Sequence, residues 1–401
     1  METTTSLTAI EAALPPEAIT PGTAAYAVDG AIPSLVLTPA SEDEVAAALR
    51  AASESDAAVI AMGSRQRLGL GMPPSRYDVA LDMTKLNRVI EYSPADLMVR
   101  VGAGMLLSDL QRSLGDNGQW LPLDPPGEDG TIGGLLAANR SGPARLVFGS
   151  ARDLVIGMRT IGPDGEMTKT GGRVVKNVAG YDLAKLHIGA IGTLGVIVEA
   201  TFKVAPMPAE TSTMTFGGSC QSLMSTALLI RNHGLAVTGM TLSAAGGEWR
   251  LQVRFAGGSA AVTRSRRDAE FLAQRNDVTV ADEEPSSLSG VLVARASLPP
   301  MSVQQVAESM AAQGASVLAY PLTGTVRGYW PAEPPVAQLQ ALRNLCRLGS
   351  GVLVIEEASP SLKQRFDVWG EPGNDLELMR RLKQQFDPKG TLSPGRYLGG
   401  L

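Results

Sequence analysis

Histidine and cysteine are nearly missing from this 401-residue chain, which has two of each. Cys220 and Cys346 stand far apart. That excludes a disulfide framework and an iron–sulfur motif, which needs several clustered thiolates. His187 and His233 are too few to build a metal site from several histidines. Aromatic residues are 4% of the chain, which argues against a stacking platform for bases. The formal net charge is −5 and no basic run offsets it, so no nucleic-acid surface is expected. No stretch of about 18 uncharged apolar residues occurs, so no transmembrane helix is expected. The opening METTTSLTAIEAALPP lacks the basic and apolar regions of a secretory signal. The expected compartment is the cytoplasm.

What remains is a globular composition, 44% hydrophobic and 19% charged. The length suits two or three domains with sizeable cores. Glycine is concentrated in residues 130–205, and each glycine cluster leads into an apolar run. Flexible linkers carry few large aliphatics, so this stretch is not a linker. Gly133, Gly134, Ser141 and Gly142 could present amides and a hydroxyl to an anion or a flat ring. Leu135 to Asn139 could form a short helix behind them. Gly189, Gly192 and Gly195 precede Val196-Ile197-Val198, a strand-like β-branched run. Taken singly, these glycines read first as turns in a glycine-rich α/β protein.

Along the chain, residues 1–30 carry little pattern and are expected to wrap the surface. Leu35–Leu37 reads as a strand. Ser41 and Glu44 form a capping box for a helix running to about Glu54. Strands follow at Ala57–Met62, Val79–Asp82, Val89–Tyr92 and Met98–Val101, then a helix at Met105–Leu114. Pro163-Asp164-Gly165 is a hairpin turn between strands at Val155–Ile161 and Met167–Lys169. Arg152 and Asp153 read as a tie between strand ends. The loop 63–74 sits at a strand end and holds Gly63, Gly69 and Gly71, with Arg65 and Arg67 between them. Amides plus two guanidiniums suit a pyrophosphate, and a solvated turn fits equally well.

Residues 210–370 lack ligand-like glycine phrases. Seven strand candidates alternate there with helices at Gln221–Asn232, Ala260–Arg275, Ser302–Gln313 and Val336–Leu348. The pattern suggests one sheet with helices on one side, repeated twice, as in a ferredoxin-like fold. Leu376–Phe386 is a basic amphipathic helix that reads as docked.

The phrases TIGG, SGP, RD, KNVAGYDL and GTLGVI, in this order, resemble the flavin domain of the vanillyl-alcohol oxidase-type, or PCMH-type, FAD-linked oxidases. The resemblance covers roughly residues 30–205, and the tail FDPKGTLSPGRY. VVKNVAGYDLAKL with GTLGVI is most similar to the FAD-binding E subunits of bacterial glycolate oxidases. The resemblance implies an α+β fold, with a PCMH-type FAD-binding domain of two α+β subdomains at 1–208. A ferredoxin-like cap would span 209–370, and a helix and tail at 371–401 would return to the FAD domain. It implies FAD contacts at Gly63, Ser64, Arg65, Gln66, Arg67, Leu68, Pro122, Gly130, Thr131, Gly133, Gly134, Ala137, Ser141, Gly142, Gly195, Val196 and Ile197. Lys176, Asn177, Tyr181 and Asp182 either border the cofactor or form a buried corner.

Three features depart from the family. Ser64 and Arg65 replace two loop glycines, Ser393 stands where asparagine is usual, and the loop has no histidine. Flavin is therefore expected to be held non-covalently. The resemblance also implies oxidation of glycolate or another small 2-hydroxy acid. The implied partners are a related D-type flavoprotein subunit and an F-type iron–sulfur subunit, with any contact to the inner membrane made through them. A stand-alone oxidase of another hydroxy acid or alcohol, and a non-catalytic electron-relay subunit, remain as alternatives. Arg327 and Arg396 are the candidate cations for a substrate carboxylate, and no catalytic base is assigned.

Overall fold

The computed structural model describes residues 7–127, 129–172, 182–281 and 288–401. Its first sheet is built on short apolar runs that are buried on both faces. Leu35–Leu37 and Val59–Met62 flank Val79–Asp82, and all three run parallel. Such doubly covered strands read as continuous apolar stretches. The helix Glu42–Glu54 connects the first two, and Ser41 accepts from the Glu44 amide at its start. Glu44 reaches back to the Ala40 amide, one residue before the cap position. The N-terminal stretch does more than wrap the surface. Ile19–Pro21 adds an antiparallel strand to this sheet, and Ile10 is fully buried.

A second, antiparallel sheet has the order Val89–Ser93, Met98–Gly102, Val196–Lys203, Val155–Ile161, Met167–Gly171. Its last two strands form the hairpin expected around Pro163-Asp164-Gly165. Asp153 does not tie strand ends together. It caps its own turn by accepting from the Ser150 amide and hydroxyl.

The C-terminal part is one eight-stranded sheet. Its chain order is strand, helix, two strands, helix, strand, twice over. The first unit is Glu210–Gly218, Cys220–Asn232, Val237–Ala245, Glu248–Gly257, Ser259–Gln274 and Thr279–Ala281. The second is Leu292–Ser297, Val303–Ala312, Ser316–Tyr320, Thr325–Trp330, Val336–Leu348 and Val352–Glu357. Each is a ferredoxin-like unit. They join where Val237–Ala245 pairs with Ser316–Tyr320. The short strand Thr279–Ala281, which sequence reading missed, completes the first unit.

Period-2 alternation divides the faces of this sheet. Leu242, Leu251, Val253, Ala294, Val326 and Ile355 belong to the large core packed against the helices. On the other face Arg327 stands opposite Arg295 and Leu318 across the ladder, and Tyr329 stands opposite Val293. This polar face meets the N-terminal part. The tail lies along the first sheet: Ser393 donates its amide to the Val59 carbonyl, and Val59 donates to that of Thr391.

Candidate functional site

A cavity of about 900 Å³, its open mouth included, lies against the ends of the parallel strands. Three sequence segments converge on it: residues 63–68, the TIGG turn with its short helix Ile132–Ala137, and the GTLGVI stretch. Gly63, Ser64, Arg65, Gln66, Arg67 and Leu68 line it, as do Gly130, Thr131, Gly133, Gly134, Ala137, Gly195, Val196 and Ile197.

Pro122, Ser141 and Gly142 are not among its lining residues. Gly142 has a packing reason instead. A Cβ there would lie 1.7 Å from the Asp124 carbonyl oxygen. Lys176, Asn177 and Tyr181 lie outside the described residues, and Asp182 pairs with Lys185 at 3.1 Å. Sequence reading missed Leu70, Met83, Ala103, Ala138 and Ile191 in the lining. Met83 comes from a segment with no glycine signal, and Ala103 lies between Gly102 and Gly104 outside the glycine-rich phrases at 63–74 and 130–205.

The backbone in the loop is chemically open. Among the described residues, the amides of residues 64–69 donate to no protein acceptor. Consecutive free amides form a concavity suited to a phosphate. The TIGG amides behave differently. That of Gly133 donates to the Ala103 carbonyl, and that of Gly134 to Thr131 Oγ1 at 3.4 Å. These glycines therefore contribute bare surface, not amides. At Gly134 an added Cβ would meet Thr131 Oγ1 at 3.1 Å and, outside the helix's own backbone and its chain neighbours, nothing else within 4 Å. Its open side belongs to the cavity.

The two loop guanidiniums have separate tasks. Arg65 pairs with Asp82 at 3.2 Å and lies over the Tyr26 ring. Arg67 makes no salt bridge among the described residues. Burial, then the charge of Arg140, pushes its pKa down to about 10. Gln66 Oε1 is buried without a partner, an acceptor waiting for a hydroxyl or amino donor. Arg396 is fully committed on one side: its Nη2 donates to the carbonyls of Leu68 and Leu70, which fixes the loop.

Backbone strain concentrates here. Arg65 and Ile191 line the cavity with left-handed φ of 62° and 45°. Asn139 and Ser393, close by in the chain and in space, have φ of 49° and 45°. A β-branched residue such as Ile191 in this region is a genuine outlier, and such strain clusters at functional sites.

Beyond Arg67 lies a charged cluster on the polar face of the eight-stranded sheet. Glu356 accepts from Arg140 Nη1 at 2.6 Å, Arg295 Nε at 2.7 Å and Arg327 Nε at 3.2 Å. Burial raises the Glu356 pKa, but Arg140, Arg327 and Arg295 outweigh it and hold the carboxyl well below its usual range. Three guanidiniums face one carboxylate. Arg327 Nη1, Arg140 Nε and Tyr320 Oη are buried and without partners.

The free loop amides, the bare Gly134 surface and the Gln66 acceptor fit a dinucleotide cofactor. Residues 33–171 match the FAD binding domain family, so the chain carries an FAD-binding domain. The fold is that of the PCMH-type FAD oxidases. It superposes on p-cresol methylhydroxylase with a TM-score of 0.73 at 13% identity, covering 97% of this chain and 95% of that one. For an alkyldihydroxyacetonephosphate synthase the TM-score is 0.72 at 17% identity, with 97% and 84% covered.

Among sequence relatives, a glycolate oxidase subunit of Escherichia coli is 34% identical over 52% of this chain and 58% of its own length. A D-lactate dehydrogenase of Anaerostipes hadrus is 35% identical over 44% of this chain and 37% of its own. The chain thus spans well under two thirds of both. An uncharacterized FAD-linked oxidoreductase of Mycobacterium tuberculosis is 26% identical over 92% of this chain and 91% of its own.

Among the described residues no helix is long and apolar enough to cross a membrane, and no group of histidine, cysteine and acidic side chains could hold a metal.

Proposed function

We propose that the chain is an FAD-dependent oxidoreductase that oxidises the hydroxyl-bearing carbon of a 2-hydroxy acid. The observation that carries this reading is the joint one of the cavity and the cluster. A cavity with free loop amides sits beside a buried excess of guanidinium charge. FAD, when bound, supplies the two-electron acceptor. The amides of residues 64–69 would hold its diphosphate, and Gln66 would accept from one of its hydroxyl or amino groups. The bare edge at Gly134 makes room for it. No histidine or cysteine lies in residues 63–74 or 120–145, so the flavin is held without a covalent bond.

Arg140 and Arg327 keep unpartnered donors that a substrate carboxylate can take up. Charge-assisted bonds of this kind are shorter and stronger than neutral ones and fix the orientation of a planar carboxylate. The similarity to a glycolate oxidase subunit further supports work inside a multi-subunit complex. Its members would be a related flavoprotein subunit and an iron–sulfur subunit, with the assembly in the cytoplasm or at the inner membrane.

One observation favours a second reading, a supporting flavoprotein subunit. Glu356, the carboxylate at the cluster, is held ionised by three guanidiniums and is a poor general base. A visible spectrum of the purified chain, before and after anaerobic glycolate or D-lactate, separates the two. Bleaching of the flavin bands by either acid supports oxidation by this chain. An oxidised spectrum that bleaches only when the partner flavoprotein is added supports the second reading.

A further inference from the structure

The loop that offers free amides to the cavity belongs to no helix or strand between residues 63 and 71. Among the described residues one backbone hydrogen bond closes it, from the Leu70 amide to the Arg67 carbonyl at 3.1 Å. The rest of its shape is set from behind, by two buried cations of the C-terminal half. Arg396 Nη2 donates to the carbonyls of Leu68, at 2.6 Å, and Leu70. Lys363 Nζ donates to the carbonyl between them, that of Gly69, at 2.6 Å. Three successive carbonyls are thus taken by charged donors.

The peptides here are trans, so each C=O and the N–H that follows it point opposite ways. Fixing the Leu68 carbonyl on Arg396 aims the free Gly69 amide away from that guanidinium. Fixing the Gly69 carbonyl on Lys363 aims the Leu70 amide back at Arg67 and so closes the turn. Gly71 allows the close approach this requires: its φ is 107°, and a Cβ there would lie 2.7 Å from the Arg396 carbonyl oxygen.

Lys363 is not among the residues that line the cavity, and its side chain is fully buried. It ends the one-turn helix Pro360–Lys363, just beyond the strand Val352–Glu357. Ser359 caps this helix and is itself held by Glu333. The lysine's charge is answered by Asp29 Oδ1 at 2.6 Å, in a turn of the N-terminal segment. An ammonium carries three donors, and a buried one is costly unless they are satisfied. The ion pair with Asp29 accounts for one donor. The bond to Gly69 gives the lysine a task beyond joining two halves of the chain.

We propose that Lys363 is a positioning residue for the flavin: it fixes the Gly69 carbonyl and so holds the loop amides ready for the cofactor's diphosphate. This rests on the reading of residues 64–69 as the diphosphate seat. The seat is then preformed only when the C-terminal half is docked, and binding does not have to order the loop, which improves affinity.

The test titrates the flavin-free full chain with FAD and with riboflavin, followed by flavin fluorescence, beside thermal unfolding. Asp29→Asn/Lys363→Met removes the ammonium without stranding a buried carboxylate. Its FAD affinity should fall roughly tenfold or more, the scale of a lost hydrogen bond to a charged group. Asp29→Asn keeps the lysine and its bond to Gly69. It should lower the unfolding midpoint and leave FAD affinity within about threefold of the parent, as the loss of a contact remote from the ligand. Riboflavin has no diphosphate and should bind the double variant as it binds the parent. Trypsin should cut after Arg65 or Arg67 faster in the flavin-free double variant than in the flavin-free parent. FAD affinity unchanged in the double variant, or an equal loss in Asp29→Asn, overturns the role of Lys363 and leaves the diphosphate reading standing. Equal trypsin rates do the same. A fall in riboflavin affinity as large as that for FAD overturns the diphosphate reading itself.

Discussion

The two halves of the molecule meet at one boundary and furnish it with different materials. The N-terminal half offers backbone: free amides in residues 64–69, a Cβ-less edge at Gly134 and strained turns at Arg65 and Ile191. The C-terminal half offers side chains on one sheet face, with Arg295, Arg327, Tyr329 and Glu356 aimed at that boundary. Backbone sites demand particular φ values and close approach, so they are written as glycines in short phrases. Side-chain sites demand only that distant strands come together, so they leave no phrase.

The largest expected effect breaks the side-chain half. Glu356→Ala leaves Arg140, Arg295 and Arg327 facing one another with no counter-charge. Removing one partner of a buried ion pair costs about 3–5 kcal/mol. Guanidinium denaturation of the variant should show a loss of that order. A loss near zero would mean that solvent reaches the cluster.

A smaller effect breaks the backbone half. In Gly63→Ala the new Cβ would sit 2.0 Å from Thr131 Oγ1, in the residue that caps the short helix Ile132–Ala137. Overpacking of this kind costs roughly 1–3 kcal/mol. Thermal unfolding should detect it, with flavin content falling in parallel. An unchanged midpoint would show that Thr131 moves aside freely.

The third effect is a matter of pH and sharpens the contrast inside the N-terminal half. Burial, then the neighbouring Glu42, pushes the Glu199 pKa up from 4.5 to about 7, against the pull of Arg159 and Arg100. The protonated form is favoured by folding. Its stabilisation is therefore complete below pH 4.5 and is lost as the pH rises through 7. Glu199→Gln should flatten that decline in unfolding midpoint. An identical slope in the variant and the parent would assign the decline to other groups.

These contrasts explain how much could be read in advance. The parallel strand Val79–Asp82, the helix Val336–Leu348 and the 163–165 hairpin follow from apolar period and turn residues, and they sit where expected. The doubled ferredoxin-like pattern was legible because strand and helix periods alternate cleanly. Most of the cavity lining was legible through glycine phrases.

The errors have physical causes. Gly142 reads like a ligand glycine, but its bare Cα serves close packing on Asp124. Arg396 reads like a substrate cation; its Nη2 holds loop carbonyls, while its Nε is buried without a partner. Arg140 and Glu356 went unnoticed because 216 residues separate two side chains that lie 2.6 Å apart. Nothing local marks either one.

The central claim is that the backbone-built cavity is the seat of the flavin, and Gly134 tests it most directly. A valine there would place its side chain in the open space that the cavity provides, with Thr131 Oγ1 the nearest neighbour of its Cβ outside the helix's own backbone. The measurement is the ratio of flavin to protein absorbance in the purified Gly134→Val chain, with circular dichroism confirming the fold. The account predicts a folded, colourless protein beside a yellow parent. A folded variant with the parent's full flavin content would contradict it.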